Sequence, residues 1–133
     1  RKLTEPPEAD KITGSADVFN MIYPVLSDLS HEEFWVLILN RSNRVIEKRR
    51  ISQGGITGTV TDIRMILKMA LENLATSLIL CHNHPSGNLQ PSDADISVTR
   101  RLKESASLMD ITLLDHIIVA GKKYFSFADD NLI

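Results

Sequence analysis

The sequence predicts an α/β domain built on a mixed sheet, and three observations carry that prediction. Short apolar runs of strand length alternate with longer stretches that repeat their apolar positions at helical spacing. At least two of the strand-to-strand connections hold only a turn, so some neighbours must be antiparallel hairpins while others are joined through a helix. The 133 residues, 43% of them hydrophobic, suffice for one domain with a sizeable core.

Residues 1–14 are polar and proline-bearing, and read as an extended arm or linker. The opening without methionine suggests a cut chain or a lost upstream region. Ser15 suits a helix N-cap, and Val18, Ile22, Val25, Leu26 and Leu29 follow with helical spacing. Pro24 lies inside that pattern and removes a backbone donor, so a kink or break is expected there. Phe34 to Leu39 is apolar at every position and marks a strand buried on both faces. Asn40 to Asn43 is a turn, and Arg44 to Ile51 returns as the second strand of a hairpin.

Gly54, Gly55 and Gly58 punctuate a short edge strand or an irregular crossing. Thr59 to Asn73 is helical, with Ile63, Ile66, Leu67, Ala70, Leu71 and Leu74 as its apolar stripe. Ser77 to Cys81 is a short buried strand. Ser92 to Met109 forms the next helix, with Ile96, Thr99, Leu102, Ala106 and Met109 inward. Ile111 to Leu114 and His116 to Ala120 make a strand interrupted at Asp115, and Gly121-Lys122 turns the chain into a pairing strand, Lys123 to Phe127.

Charge and composition narrow the function classes. A net charge of −2 gives no general attraction to nucleic acid. The basic clusters Lys48-Arg49-Arg50 and Arg100-Arg101-Leu102-Lys103 read as a solvated strand end and a solvated helix face. No run approaches the roughly 18 apolar residues of a membrane span, and the opening residues lack a signal-peptide pattern. Cys81 is the single cysteine, which excludes an internal disulfide and fits a reducing cytoplasm, the expected location.

The chemistry gathers between His82 and Asp95, in the string H-N-H-P-S-G-N-L-Q-P-S-D-A-D. In extended backbone, residues i and i+2 point to one side, so His82 and His84 can converge on one ion while Cys81 and Asn83 point away. Cys81 then reads as a small buried strand residue. Pro85-Ser86-Gly87 and Pro91 shape a loop that returns the next helix toward the histidines. Ser92 and Asp95 match a capping-box pattern, which explains both residues without metal. A side chain in the first helical turn also projects toward whatever lies at the helix N-terminus, so cap and ligand are compatible. Zinc takes nitrogen and oxygen ligands of this kind, and its catalytic sites keep a coordination position open.

The full spacing H-x-H-x7-S-x2-D matches the JAMM metalloprotease signature of MPN/JAB domains. The longer string His82 to Gly87, then Pro91-Ser92, then Leu114 to Ile118, resembles the C-terminal domain of RadC proteins over residues 15–133. The resemblance implies a cytidine-deaminase-like α/β fold, a mixed central sheet flanked by helices on both sides. It implies His82, His84 and Asp95 as ligands of Zn2+ and Ser92 as a hydrogen-bond donor to an oxyanion. It also implies a general-base glutamate two positions before the first core strand's leading apolar residue. Two candidates stand there, Glu32 and Glu33; counting back from Phe34 gives Glu32, and the two must face opposite sides of the sheet. RadC-like proteins often carry H-P-R-E before the second helix, where this chain has Asp62-Ile63-Arg64-Met65 and keeps only Arg64. Their upstream helix-hairpin-helix region, the usual reason for suspecting DNA, has no counterpart in these residues. Asp115-His116 follows the family's D-H pair; His116 is open to two readings, a partner behind the metal ligands or a satisfied strand histidine, of which the structural one is expected, and His31 is expected to be exposed.

The expected function is therefore zinc-dependent hydrolysis of a peptide or isopeptide bond in a peptide or protein substrate. The alternative is a DNA-repair-associated, zinc-stabilised interaction module without turnover. Direct DNA binding is not expected of this domain alone. A zinc nucleobase deaminase is disfavoured because the H-x-E…P-C-x-x-C signature is missing.

Overall fold

A computed structural model describes residues 10–53 and 62–133. Three helices, α1 (Ser15–Leu26), α2 (Ile63–Glu72) and α3 (Asp93–Ser107), surround five strands. The strands are β1 (Glu33–Leu39), β2 (Val45–Gln53), β3 (Ser77–Asn83), β4 (Thr112–Ala120) and β5 (Lys123–Ser126). They form one sheet in the order β2-β1-β3-β4-β5. The β3–β4 pair is parallel and the other three pairs are antiparallel, so the sheet is mixed as the hairpins and crossovers require.

The sheet separates two cores, and strand alternation decides which residue enters which. On one face Phe34, Val36, Ile38, Leu78 and Leu80 pack with Ile66 and Ala70 of α2 and Leu102 and Ala106 of α3. On the other, Leu37, Leu39, Ile79, Cys81, Ile117 and Val119 pack with Val18, Ile22 and Leu26 of α1. Helices thus cover both faces. All seven residues of β3 are buried, which accounts for its near-continuous apolar sequence.

Several expectations shift by a residue or two for identifiable reasons. Residues 10–13, read as part of the arm, are tied down. Val45 N donates to Asp10 O, Ile12 N donates to Asn43 O, and the Ile12 side chain is buried in the α1-side core. Ser15 is the first helical residue rather than the cap. Gly14 holds the cap position without a side-chain bond, and Thr13 donates from its backbone N and its hydroxyl to Asp17. Pro24 does not break α1, which runs on to Leu26; so close to the C-terminus its missing donor removes one bond. β4 is a single strand. Leu78 pairs with Leu113 and Ile79 with Asp115, so the interruption is a bulge at Leu114 rather than a break at Asp115. The Gly54–Gly58 segment, the start of the helix expected from Thr59, and residues 1–9 lie outside the described residues.

The α2 stripe departs most. Met69 is buried, whereas Leu71 is half exposed and Leu74 is 84% exposed. Leu74 has left the helix: it sits at φ 50, while Ala75 N donates to Ala70 O and Leu74 N to Leu71 O. These are the bonds of a Schellman C-cap, whose left-handed position favours glycine. α3 closes in the same way, with Ile111 N to Ala106 O and Asp110 at φ 59, which leaves Met109 43% exposed rather than inward.

Two substitutions check this packing. Leu102→Ala, in the core between α3 and the sheet, should destabilise by about 2–5 kcal/mol. Leu74→Gly should stabilise by about 1 kcal/mol, because glycine adopts the left-handed conformation without the penalty leucine carries. Chemical denaturation measures both, and a destabilised Leu74→Gly would place that residue back in the apolar stripe.

Candidate metal centre

The centre is assembled at the C-terminal end of β3. His82 is its penultimate residue, and His84 follows the strand with its backbone N donating to Val119 O at 2.9 Å. Since residues two apart share a side, both imidazoles lie on the α3 face, while Cys81 is buried in the opposite core, where burial pushes its thiol far above its ordinary pKa. The chain then reverses through His84 to Gly87, with Gly87 at φ 90, a conformation that L side chains rarely adopt. That turn brings Asn88 O back to 2.6 Å from His84 Nδ1.

α3 opens with a complete capping box: Asp95 N donates to Ser92 Oγ at 3.0 Å, and Ser92 N donates to Asp95 Oδ2 at 2.8 Å. The cap also fixes the Asp95 carboxylate over the histidines. His82 Nε2 and His84 Nε2 lie 3.0 Å apart. His82 Nε2 is 3.2 Å from Asp95 Oδ1 and His84 Nε2 is 3.2 Å from Asp95 Oδ2. Capping and convergence on the histidines therefore coexist in one side chain.

This triangle fits a metal ion. Tetrahedral zinc with ligands at about 2.0–2.1 Å separates them from one another by about 3.3 Å, close to the spacing seen here. The hydrogen-bond directions agree. Asn88 O can only accept, so His84 carries its proton on Nδ1, and a neutral ring then turns the Nε2 lone pair toward His82 and Asp95. Two imidazole nitrogens and a carboxylate oxygen facing inward form a hole for a positive charge. A proton on the imidazoles can take the same inward position that a metal ion would occupy. Burial alone would raise Asp95, but bonds donated by histidines carrying that proton, and by the Ser92 backbone, hold it far below the usual carboxylate range. The bond to Asp95 favours the protonated form of His84 against the opposing effect of burial, and a metal ion competes with that proton. Among the described residues these three form the one His/Cys/Asp/Glu group whose ligand atoms converge in this way.

Glu32 immediately precedes β1. Its charge acts on His84, and Phe34, two residues on, pairs with His82 and stacks on its ring at 5.3 Å between centroids. Asn83 fixes the backbone on either side of Glu32, accepting from Glu33 N at 2.8 Å and donating to His31 O at 2.9 Å. Glu33 faces the other way. Its carboxylate takes Trp35 Nε1 at 3.0 Å and His31 Nε2 at 2.9 Å, with Arg50 Nη1 at 3.6 Å. His31 is thus a partner of Glu33 with a 40% exposed side chain, not a free surface residue. Arg50 belongs to the same cluster rather than to a purely solvated strand end. Arg64 is bonded to Asp62 at the surface.

His116 lies nearer the chemistry than the structural role expected of it. It is fully buried, with Nε2 at 2.8 Å from His82 Nδ1 and Nδ1 at 2.6 Å from Thr99 Oγ1, and it stacks on Phe127 at 4.6 Å. Burial, reinforced by the neighbouring His82, pushes its pKa well below that of an ordinary histidine. Asp115 turns away, accepting from His116 N, Ser126 Oγ and Ala128 N. Sequence reasoning missed Thr99 and Asn83 as contributors. Thr99 was legible in one respect: it stands four residues after Asp95, so the two share a helix face, and it is the polar member of an otherwise apolar stripe.

Fold and site together define an α/β protein with a two-histidine, one-aspartate centre at a strand end. The family model described as RadC-like JAB domain matches residues 12–132, and the chain belongs to that family. The chain is 52% identical over 122 residues to a UPF0758 protein of Flavobacterium johnsoniae, covering 92% of this chain and 53% of that one. It is 43% identical to a UPF0758 protein of Porphyromonas gingivalis, covering 97% and 57%, and 44% identical to one of Chlorobaculum parvum, covering 92% and 55%. The chain spans about half the length of these curated relatives. Among the described residues no helix is long and apolar enough to cross a membrane.

The Glu33 cluster makes a pH-dependent prediction. Burial would raise Glu33, but His31, Trp35 and Arg50 outweigh it and hold the carboxyl below its ordinary value of 4.5. A lowered folded pKa stabilises the fold above the unfolded value, and that contribution is lost as pH falls through the folded one. Glu33→Gln should therefore be less stable than the parent at neutral pH, with the gap narrowing below pH 4.5. Denaturation curves across that range check it, and a gap independent of pH would contradict the ionised cluster.

Proposed function

We propose that this domain is a zinc-dependent hydrolase of amide bonds, acting on a peptide or isopeptide. The observation that carries the reading is the convergence of His82, His84 and Asp95, and the charge of Glu32 acting on His84 supports a base beside them. His84 and Asp95 keep side-chain exposures of 12% and 13% while His82 keeps 2%, so the triangle is rooted in the core and open toward solvent. When bound at these three side chains, zinc supplies Lewis acidity, polarising a substrate carbonyl and lowering the pKa of water toward about 7.

The chain's own groups carry the remaining steps. Glu32, among the described residues without a hydrogen-bond partner of its own, takes the proton from the attacking water and passes it to the leaving amine. The Ser92 hydroxyl accepts from Asp95 N through its oxygen, which leaves its proton free to donate to an oxyanion. Comparable donors contribute about 2.7–4 kcal/mol to turnover. The partner in this reading is a peptide or protein in the cytoplasm. The net charge of −2 leaves duplex DNA outside it.

Metal content and turnover test the proposal together. Protein stripped of metal and reloaded with zinc should hold one ion per chain, and His84→Ala should lose it. Glu32→Gln should keep zinc and stability while losing peptide or isopeptide cleavage by about 10²–10⁴-fold. Glu33→Gln should cleave as the parent does. A dead Glu33→Gln beside an active Glu32→Gln would reverse the assignment of the base. A zinc-loaded parent that cleaves nothing across a peptide and isopeptide library would favour the non-catalytic, DNA-repair-associated module.

A further inference from the structure

Behind the ligands lies a second layer that the proposed hydrolysis does not itself use. His82 Nδ1 touches His116 Nε2 at 2.8 Å, His116 Nδ1 touches Thr99 Oγ1 at 2.6 Å, and Thr99 Oγ1 donates to the carbonyl oxygen of Asp95 at 2.6 Å. The contacts run from one prospective ligand, His82, through two buried side chains, to the backbone of another, Asp95. His116 is 0% exposed and Thr99 2% exposed, so neither can exchange these partners for water.

The direction of every proton in this row is determined from its far end. A carbonyl oxygen can only accept, so the single hydroxyl proton of Thr99 is committed to Asp95 O. Thr99 Oγ1 must then accept from His116, which places a proton on His116 Nδ1. No carboxylate touches the His116 ring among the described residues, and an imidazolium buried there would be an unpaired charge. A neutral His116 protonated on Nδ1 presents a lone pair at Nε2, so His82 must donate to it from Nδ1. The remaining nitrogen of His82, Nε2, is then an unprotonated donor facing His84 and Asp95, the form a metal requires.

We propose that Thr99, acting through His116, is a positioning residue that locks His82 in its metal-binding tautomer. The inference rests on the metal reading of His82, His84 and Asp95 and adds the device that keeps one of those ligands ready. Without the hydroxyl, His116 can move its proton to Nε2 and donate to His82 Nδ1. That drives the His82 proton onto Nε2, where it blocks the ligand position. Thr99 also ties the lock to Asp95, since the same hydroxyl holds the carbonyl of the residue whose carboxylate completes the triangle.

Three forms of the chain, titrated with zinc against a competing chelator, test this. Thr99→Val keeps the shape and both branches of the side chain but removes the hydroxyl, and should bind zinc about 10–100-fold more weakly. Thr99→Ser keeps the hydroxyl, loses a methyl group, and should stay near the parent. A packing role for Thr99 predicts the reverse order, with Ser the worse variant, and that order would overturn the proposal. Equal zinc affinity in parent and Thr99→Val would overturn it too, while leaving the metal reading intact. A parent that takes no zinc would overturn both. A second readout needs no affinity difference: nitrogen NMR of the zinc-loaded parent should show His116 protonated on Nδ1 and bare on Nε2, and the opposite tautomer would sink the lock.

Discussion

Three electron-rich atoms, two imidazole nitrogens and a carboxylate oxygen, are held about 3 Å apart at the end of a buried strand. With lone pairs turned inward they repel one another unless a positive charge lies between them, so the surrounding structure has to hold them together. β3 does the first part: buried along its whole length and flanked by β1 and β4, it fixes the direction in which His82 leaves the sheet. The capping box does the second, using the Asp95 carboxylate both to close the first turn of α3 and to complete the triangle. Gly87 does the third, by letting the loop turn back so that Asn88 can hold His84.

The two faces of the sheet divide the work. The α3 face carries the ligands, the Phe34 ring stacked on His82, and the His116–Thr99 row. The α1 face carries Cys81 and the buried side chains of the second core. Glu32 and Glu33 stand at the point where β1 enters this arrangement: the charge of Glu32 acts on His84, while Glu33 is paired with His31, Trp35 and Arg50. Asn83 stands between the two histidines in sequence and points to the other side, where it fixes the backbone around Glu32. Strand alternation thus lets one tripeptide supply two ligands and the brace for the neighbouring strand.

Much of this was legible in the residues. Period-two alternation separates His82 and His84 from Cys81 and Asn83, and the hairpin turns require a mixed sheet. The S-x-x-D pattern marks the helix start that carries Asp95. What escaped the sequence depended on tertiary contact. Nothing in the local pattern distinguishes a His116 that buttresses a ligand from one that fills a strand position, because its partners come from β3 and α3. Helix ends depart for a different reason: Leu74 continues the apolar spacing of α2 although the chain has already turned left-handed there, with a leucine where a Schellman cap favours glycine. Pro24 was overread, since proximity to the end of α1 leaves it little helix to interrupt.

In the proposed function His82, His84 and Asp95 hold one metal ion and leave a coordination position free. A crystal of the zinc-loaded chain, with anomalous scattering recorded on both sides of the zinc edge, measures this most directly. The expected result is a single peak within about 2.0–2.2 Å of His82 Nε2, His84 Nε2 and an Asp95 oxygen, with no protein atom as the fourth ligand. A zinc peak elsewhere, or one closed off by a fourth protein side chain, would contradict it.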